Sequence, residues 1–461
     1  MSRVFLLSSN VATEPYPVYP LGMAIIAAAL QRCGHELRQF DMLVHQRDGA
    51  DVGAAVREFK PDFICVSLRN IDNVDSFSSD ENWYLNDARL LIERLRRHSD
   101  APVIIGGPAF SIMPQQILDF VAADYGICGE GEQALVELID ALKQGRSMPR
   151  VYSGAAPIAG AAMISPLLVP EYVDYYQQHS GMVNLQSKRG CPYRCVYCTY
   201  PALEGSSFRL RQPGAVVDDM ERLRRDFGSD HIFFTDSTFN DHQGHYLELV
   251  EEIIRRDLKL RWCAFFRPQG LNDTTLALLK RSGLYAMEMG TDAACDRTLA
   301  GLDKGFTFAE VLRCHQSALR AQIPCAHFIM FGGPDETPDS VDEGLDNIAR
   351  LENTVVFAFS GIRILPRSRL HRRAIDDGVI SADTSLLKPV YYLSPKIDRE
   401  WMNMRILKSF AGQRNRIFPP SKGQEQMRMM NNFGFKGILW DQMVSFTAGR
   451  RRRPRRRPRH D

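Results

Sequence analysis

The sequence predicts an α/β protein: an N-terminal Rossmann-like doubly wound sheet, then a partial (β/α)6 barrel, then a mainly helical C-terminal extension. Three observations predict it. Short apolar runs alternate with amphipathic segments from Val4 to Cys128, and they do so again from Met182 to Ile364. Between the two series stands Cys191-Pro192-Tyr193-Arg194-Cys195-Val196-Tyr197-Cys198, three thiols at CxxxCxxC spacing. Alternation of strand and helix is the pattern of parallel sheets, because each parallel strand needs a crossover to bring the chain back.

The first series occupies residues 1–145. Its strands are Val4–Leu7, Glu36–Phe40, Asp62–Leu68, Pro102–Gly107 and Tyr125–Cys128. Its helices are Leu21–Cys33, entered through Pro20 and stopped by Gly34, then Val52–Phe59, Asn86–Arg97 and Pro114–Phe120. A doubly wound sheet binds its ligand at the carboxyl ends of its strands. Gly106 and Gly107 stand at such an end and allow close backbone approach, with the small polar Ser111 just beyond. No GxGxxG follows the first strand, which argues against NAD or FAD. A Rossmann-like lobe without a ligand, or with a mononucleotide, is the plain alternative.

Residues 146–180 are rich in Ala and Pro and are expected to be a linker. The apolar run Met182–Ser187 is a strand, and Lys188-Arg189-Gly190 is the turn out of it into the cysteines. Soft thiolates packed this closely select an iron–sulfur cluster or zinc. A structural zinc site takes four protein ligands, and no fourth Cys or His lies near. The barrel, residues 181–370, then repeats helix Val216–Phe227, strand His231–Thr235, helix Tyr246–Arg256, strand Arg261–Phe266, helix Asp273–Arg281, strand Tyr285–Met289, helix Phe308–Ala321 and strand Cys325–Phe331. A helix begins at Pro338 behind the capping Thr337, and Thr354–Ile364 is the last strand. Six βα units are too few to close an eight-fold barrel, so one side stays open and the active groups lie at the carboxyl strand ends.

Composition is that of a soluble globular protein, 44% hydrophobic and 24% charged. No signal sequence or apolar run of membrane-spanning length is present. Of ten cysteines only the central three cluster, so the rest are small buried hydrophobes and the expected compartment is a reducing cytoplasm. The net charge of +2 conceals a mildly acidic body and a basic tail, residues 450–461, with eight arginines broken by prolines. Such a tail cannot fold alone, and nucleic-acid binding is not expected, because no basic surface interleaved with aromatics occurs elsewhere. Residues 371–449 carry Trp401, Met402, Met404, Met427, Met430, Phe433, Phe435 and Trp440, and are expected to close over the open side of the barrel.

The cysteine motif, with the aromatic Tyr197 between its last two thiols, resembles the radical S-adenosylmethionine (SAM) superfamily. The resemblance implies a [4Fe–4S] cluster on Cys191, Cys195 and Cys198. It also implies SAM on the fourth iron, cleaved to a 5′-deoxyadenosyl radical. Asp236-Ser237-Thr238 stands where this family binds the amino acid part of SAM, although the common Gly-Gly-Glu is absent. Gly290-Thr291-Asp292 replaces the usual Gly-x-Glu-Ser. Glu288, two residues earlier, alternates onto the barrel face. Gly332-Gly333-Pro334-Asp335-Glu336-Thr337 resembles Gly-x-Pro-Gly-Glu-Thr, with Asp335 for the second glycine. Tyr197, Asp236, Ser237, Thr238, Glu288 and Asp292 are therefore the implied SAM residues, with helix capping or a barrel salt bridge as the structural alternative for each carboxylate.

The first lobe resembles the cobalamin-binding domain that precedes the radical domain in one large subclass. The resemblance rests on Tyr19-Pro20-Leu21-Gly22-Met23, on Gly106-Gly107 and on Gly129-Glu130-Gly131-Glu132. The implied cobalamin residues are Arg69, Asn70, Asn73, Gly106, Gly107, Ser111, Gly129 and Glu130. Asp41, His45 and Gly49 are spaced four and four, unlike Asp-x-His-x-x-Gly, so no histidine–cobalt bond is expected and His45 is placed on the surface. Together the resemblances imply a cobalamin-dependent radical SAM methyltransferase acting on an unactivated carbon of a small specialised-metabolite or lipid-like substrate. A reducing partner such as flavodoxin or ferredoxin would serve it. The alternatives are a cyclisation, ring contraction or rearrangement without net methylation, and a cobalamin-binding regulatory protein with a structural cluster.

Overall fold

The computed structural model describes residues 1–14, 16–45, 50–78, 82–154 and 156–444. The first lobe runs β1 Arg3–Ser8, α1 Leu21–Arg32, β2 Glu36–Asp41, α2 Ala50–Phe59, β3 Phe63–Ser67, α3 Tyr84–Arg96, β4 Val103–Gly106, α4 Pro108–Ile112, α5 Pro114–Val121, β5 Tyr125–Cys128, α6 Gly131–Lys143 and β6 Val151–Ser153. These strands form one parallel sheet in the order β2-β1-β3-β4-β5-β6. Strand direction of winding reverses between β1 and β3, so the loops after those strands part and open a crevice. Arg69, Asn70 and Asn73 stand on one of them. Buried Phe5, Leu7, Ile64, Val66 and Ile105 lie under α2 and α3, while Val4, Leu6, Cys65 and Ile104 lie under α1 and α6. Apolar side chains on both faces explain why these strands read as continuous hydrophobic runs.

Two expectations change here. Residues 146–180 are more than a linker: Val151–Ser153 adds the sixth strand, because its backbone completes the exposed edge of β5, and Pro170–His179 is a helix, α7. His45 is half-buried, stacked on Phe40 with ring centroids 4.2 Å apart and edge-on to Tyr172.

The second lobe runs β7 Val183–Leu185, β8 Lys188–Arg189, α8 Tyr200–Glu204, β9 Arg209–Leu210, α9 Pro213–Phe227, β10 His231–Phe234, α10 Tyr246–Arg255, β11 Arg261–Phe266, α11 Asp273–Arg281, β12 Leu284–Asp292, α12 Asp296–Gly301, α13 Phe308–Arg320, β13 Cys325–Phe331, α14 Pro338–Ala349, β14 Val355–Ser360 and β15 Ile362–Arg363. The extension adds α15 Arg369–Asp376, β16 Tyr391–Tyr392, α16 Arg399–Phe410, β17 Arg416–Ile417 and α17 Pro420–Asn432. The main sheet is parallel and open, in the order β17-β14-β13-β12-β11-β10-β7. It is the expected partial barrel with one strand more, since β17 from the extension pairs with β14.

Local departures have local causes. Lys188-Arg189 is not a free turn but pairs antiparallel with Arg209-Leu210. Strand β12 runs on to Asp292, and its register against β13 slips between Met289 and Asp292, where Asp292 adopts a φ of 62°. The expected strand Thr354–Ile364 breaks at Gly361, and Ile362-Arg363 pairs instead with β16. Thr337 caps α14 as its sequence implies, with Ser340 returning the hydrogen bond to the Thr337 amide, an arrangement worth about 1 kcal/mol.

The extension does not close the side of the barrel so much as fill its lumen from the amino-terminal end. Trp440, Ile438, Leu439 and Met443 pack with Met182, Phe233, Cys263, Ala286, Ala326 and Val355, the inward-facing residues at the starts of the strands. The Arg-rich tail, 450–461, lies outside the described residues. Glu288 points into this lumen, 4% exposed, and accepts from the Trp440 indole N–H at 3.1 Å. Burial pushes its carboxyl up to about 7, against the opposing pull of that N–H.

A raised acid keeps its proton in the folded chain, so its stabilising share is full below the ordinary glutamate value and is lost as pH rises through about 7. Unfolding free energies from urea titrations at pH 4 to 8 should therefore fall across that window, by about 3 kcal/mol from this group. In Glu288→Gln that fall should flatten.

Candidate active site

The cysteine loop is pinned from three sides. Cys191 N donates to Gly205 O at 3.0 Å, Val196 N to Leu302 O at 3.1 Å, and Leu370 N to Val196 O at 2.7 Å. Cys191 is buried, Cys195 and Cys198 are half-buried, and none is in a disulfide. Burial pushes the Cys198 thiol up to about 12, and the charges of Cys195 and Cys191 add to this, so the three are close enough to repel as thiolates. Burial raises Cys191 as well. A metal centre is what makes such a set tolerable, because coordination removes the protons and shares the charge. Among the described residues no three His, Cys, Asp or Glu groups converge closely enough to hold a single ion. Three thiols spread around one loop fit a cluster, whose irons reach ligands farther apart.

The implied SAM residues surround this loop. Asp236, at the end of β10, is 1% exposed and accepts from Ser187 N at 2.8 Å, from Lys188 N at 3.3 Å and from the Ser187 hydroxyl. Both oxygens are in use, so in this geometry Asp236 orders the chain entering the cysteine loop. Ser237 donates to Gly190 O at 2.8 Å, fixing the residue before Cys191, and Thr238 contacts Asn240. Asp292 accepts from the Tyr197 hydroxyl and from Lys304 Nζ, tying the aromatic of the motif to the end of β12. Glu288 lies deeper, with Tyr16 of the loop after β1 beside it. Glu336 accepts from Gly332 N and Gly333 N, and Asp335 takes a φ of 65°, the conformation that the family's glycine would supply.

Three cations around the loop carry no sequence motif and were not anticipated. Lys188, 1% exposed, lies 3.6 Å from Asp241 and donates to Phe239 O. Lys304 is buried against Asp292, which raises its pKa although burial works the other way. Arg267 stacks over the Tyr193 ring, 3.7 Å from its centroid. A lone Lys or Arg after a strand is normally solvated surface, so only the fold reveals these.

On the first lobe, Ser111 joins two strand ends: its hydroxyl donates to Gly107 O at 3.0 Å and accepts from Gly129 N at 2.9 Å. Gly107 has a φ of 101°, and a Cβ there would stand 2.5 Å from Leu68 O, so its missing side chain admits the β3 loop; Gly106 has ordinary clearance. Asn73 forms a turn, donating to Ser78 Oγ at 2.8 Å and accepting from Asp75 N at 3.2 Å. Asn70 is half-buried at the same mouth. Arg69 is half-buried, and the partners whose charge it feels are Tyr16, Tyr200, Tyr176 and Tyr84, with no carboxylate among them.

Glu130 lies at the joint between the two lobes. It pairs with Arg209 at 2.6 Å and with Arg189 at 3.2 Å, while Glu132 holds Arg189 at 2.6 Å. These contacts join the carboxyl edge of the first sheet to the residue two before Cys191. Across the same joint Asp72 pairs with Arg363 at 2.8 Å, both nearly fully buried, Ser76 donates to Ser360 O, and Tyr19 N donates to Asn184 Oδ1. The two sheets thus meet carboxyl edge to carboxyl edge. Tyr16 reaches from the first lobe into the barrel, its ring 6.3 Å from that of Phe233.

Comparison with known proteins agrees with this arrangement. Residues 8–139 match the family described as B12 binding domain, and residues 185–348 match the Radical SAM superfamily. The chain is 26% identical to the tryptophan 2-C-methyltransferase of Streptomyces laurentii, over 79% of this chain and 73% of that one. It is 22% identical to an uncharacterized methyltransferase of Pyrococcus horikoshii, over 72% and 73%. Its fold superposes on the radical SAM methyltransferase TsrM from Kitasatospora setae, solved with cobalamin and a [4Fe–4S] cluster, with a TM-score of 0.83, 23% identity and coverage of 96% and 97%. With both domains present in this order and joined at their carboxyl edges, the chain belongs to the cobalamin-binding radical SAM enzymes.

Proposed function

We propose that this protein is a cobalamin-dependent radical SAM C-methyltransferase, which moves a methyl group to an unactivated carbon of a small molecule. One observation carries the reading: Arg69, at the mouth of the first sheet, is near both Tyr16, whose ring lies against Phe233 in the barrel, and Tyr200, two residues beyond Cys198, so that a methyl donor and a radical source would meet over one substrate. Bringing both to a single carbon replaces two encounters by one.

When bound, the cluster with SAM supplies hydrogen-atom abstraction, and the corrin supplies the methyl group. The residues of this chain hold and orient. Cys191, Cys195 and Cys198 are the thiolate ligands, and Tyr197, Asp292 and Lys304 brace the loop that carries them. Arg69 and Asn70 would hold the corrin at the crevice, with Ser111 and Gly129, hydrogen-bonded to each other, shaping the strand ends beside it. Ser237 and Thr238 line the approach for SAM, and Glu288 offers a neutral acid to the lumen. Glu130, Asp236, Asn73 and Gly106 support these positions rather than touch ligand. The lumen wall is aromatic: Phe265 is 38% exposed and lies edge-on to Phe233, and Phe328 stacks on Phe357. Such a wall suits a planar apolar substrate, and the Streptomyces laurentii relative is named for tryptophan. The electron would come from a low-potential carrier such as flavodoxin or ferredoxin. Two relatives are named as magnesium-protoporphyrin IX monomethyl ester cyclases, so a cyclisation remains the second reading.

Anaerobic reconstitution of the full chain with iron, sulfide and hydroxocobalamin should give about four irons and one corrin per chain. Cys195→Ala should lose most of the iron and keep the corrin, because the corrin lobe has its own core; loss of both, or retention of iron, would count against the assignment. With SAM labelled in its methyl group, a product carrying the label and heavier by one methylene supports methyl transfer. Deoxyadenosine formed beside an unlabelled product would select the cyclisation.

A further inference from the structure

Of the three cations buried around the cysteine loop, two are paired with carboxylates. Lys188 has Asp241 at 3.6 Å and feels Asp236, and Lys304 has Asp292. Arg267, 6% exposed at the end of β11, has no carboxylate within ion-pair distance among the described residues, and its side chain donates instead to neutral oxygens. Its Nε donates to the Gln269 amide oxygen at 3.2 Å, and one terminal nitrogen donates to Lys304 O. Its guanidinium lies between two rings, 3.7 Å from the centroid of Tyr193 and 5.0 Å from that of Phe306. Tyr193 belongs to the cysteine loop itself, between Cys191 and Cys195.

A buried guanidinium needs a counter-charge, because water no longer solvates it. A ring face offsets only part of that loss. A cluster held by three thiolates carries net negative charge and gains one more on reduction. We propose that Arg267 is the counter-charge of the iron–sulfur cluster, a positioning residue that stabilises the reduced cluster and raises its potential. The inference rests on the cluster reading of Cys191, Cys195 and Cys198. It assigns to Tyr193 a second task, that of holding the guanidinium flat against the loop. Arg rather than Lys suits the position, because a planar cation stacks between rings while its edges still donate.

The test is an EPR-monitored redox titration of the full chain, reconstituted anaerobically without SAM, so that any contact of Arg267 with SAM plays no part. The wild type must first show the [4Fe–4S] signal with about four irons; if it does not, the cluster reading fails and this inference falls with it. Arg267→Met should hold less reduced cluster at a given potential by about tenfold, a midpoint lower by about 59 mV for one electron. Arg267→Lys, which keeps the charge, should stay within about threefold of wild type, a gap that tenfold loss would exceed. Arg267→Met that binds full iron and titrates with the wild type would overturn the proposal. If Arg267→Met holds no iron, Arg267→Lys decides: iron recovered with the charge supports the counter-ion, and iron lost in both variants makes Arg267 a packing residue and overturns it.

Discussion

The guanidinium of Arg189 stands where the cysteine loop begins and where the first sheet ends, held by Glu130 at 3.2 Å and by Glu132 at 2.6 Å. All three side chains are nearly buried, so the charges are worth having only together. Removal of one partner of such a set leaves an uncompensated charge in a medium that solvates it poorly, at a cost of about 3–5 kcal/mol. Glu130 also binds Arg209, the residue whose strand pairs with Arg189, so a single carboxylate fixes both edges of the loop. The relative placement of the lobes follows from this joint and from the Asp72–Arg363 pair on the other side.

That joint explains why the site has so many buried ions. Two sheets that meet at their carboxyl edges bring together every loop that would otherwise lie in water, and each polar group there must find a partner. Asp236 takes the amides of Ser187 and Lys188; Asp292 takes the Tyr197 hydroxyl and Lys304. Neither arrangement leaves the cysteine loop free to move. A cluster site built this way is preorganised by charge pairing rather than by a hydrophobic shell alone.

The lumen is shaped from the opposite end. Trp440 and its neighbours fill the amino-terminal half of the barrel, where a partial barrel of parallel strands would otherwise expose its inner face. The indole N–H reaches Glu288, whose carboxyl burial pushes up to about 7. The extension therefore sets the depth of the chamber and the charge state of the acid within it. Among the described residues no helix is long and apolar enough to cross a membrane.

The sequence by itself determined the elements and the motif. Continuous apolar runs of five or six residues can only be strands buried on both faces, and Thr337-Pro338 can hardly be anything but a helix start, so the order of strands and helices was legible. The three cysteines are eight residues of local chain, and their meaning needs no fold. What the sequence could not carry is whatever depends on partners far along the chain. Glu130 in a glycine-rich turn gives no local sign that Arg189 and Arg209, more than fifty residues on, are brought against it. Asp236 has the chemistry to hold an ammonium, yet one of its oxygens takes the amides of Ser187 and Lys188 and the other takes the Ser187 hydroxyl. Arg267 and Lys304 look like ordinary surface cations because local sequence says nothing of burial. The strand pairings of Val151–Ser153 and Arg416–Ile417 are equally invisible, being two or three residues that become strands only because an open sheet edge offers them backbone partners. Local pattern fixes what a segment is; only tertiary structure decides which charge it must answer.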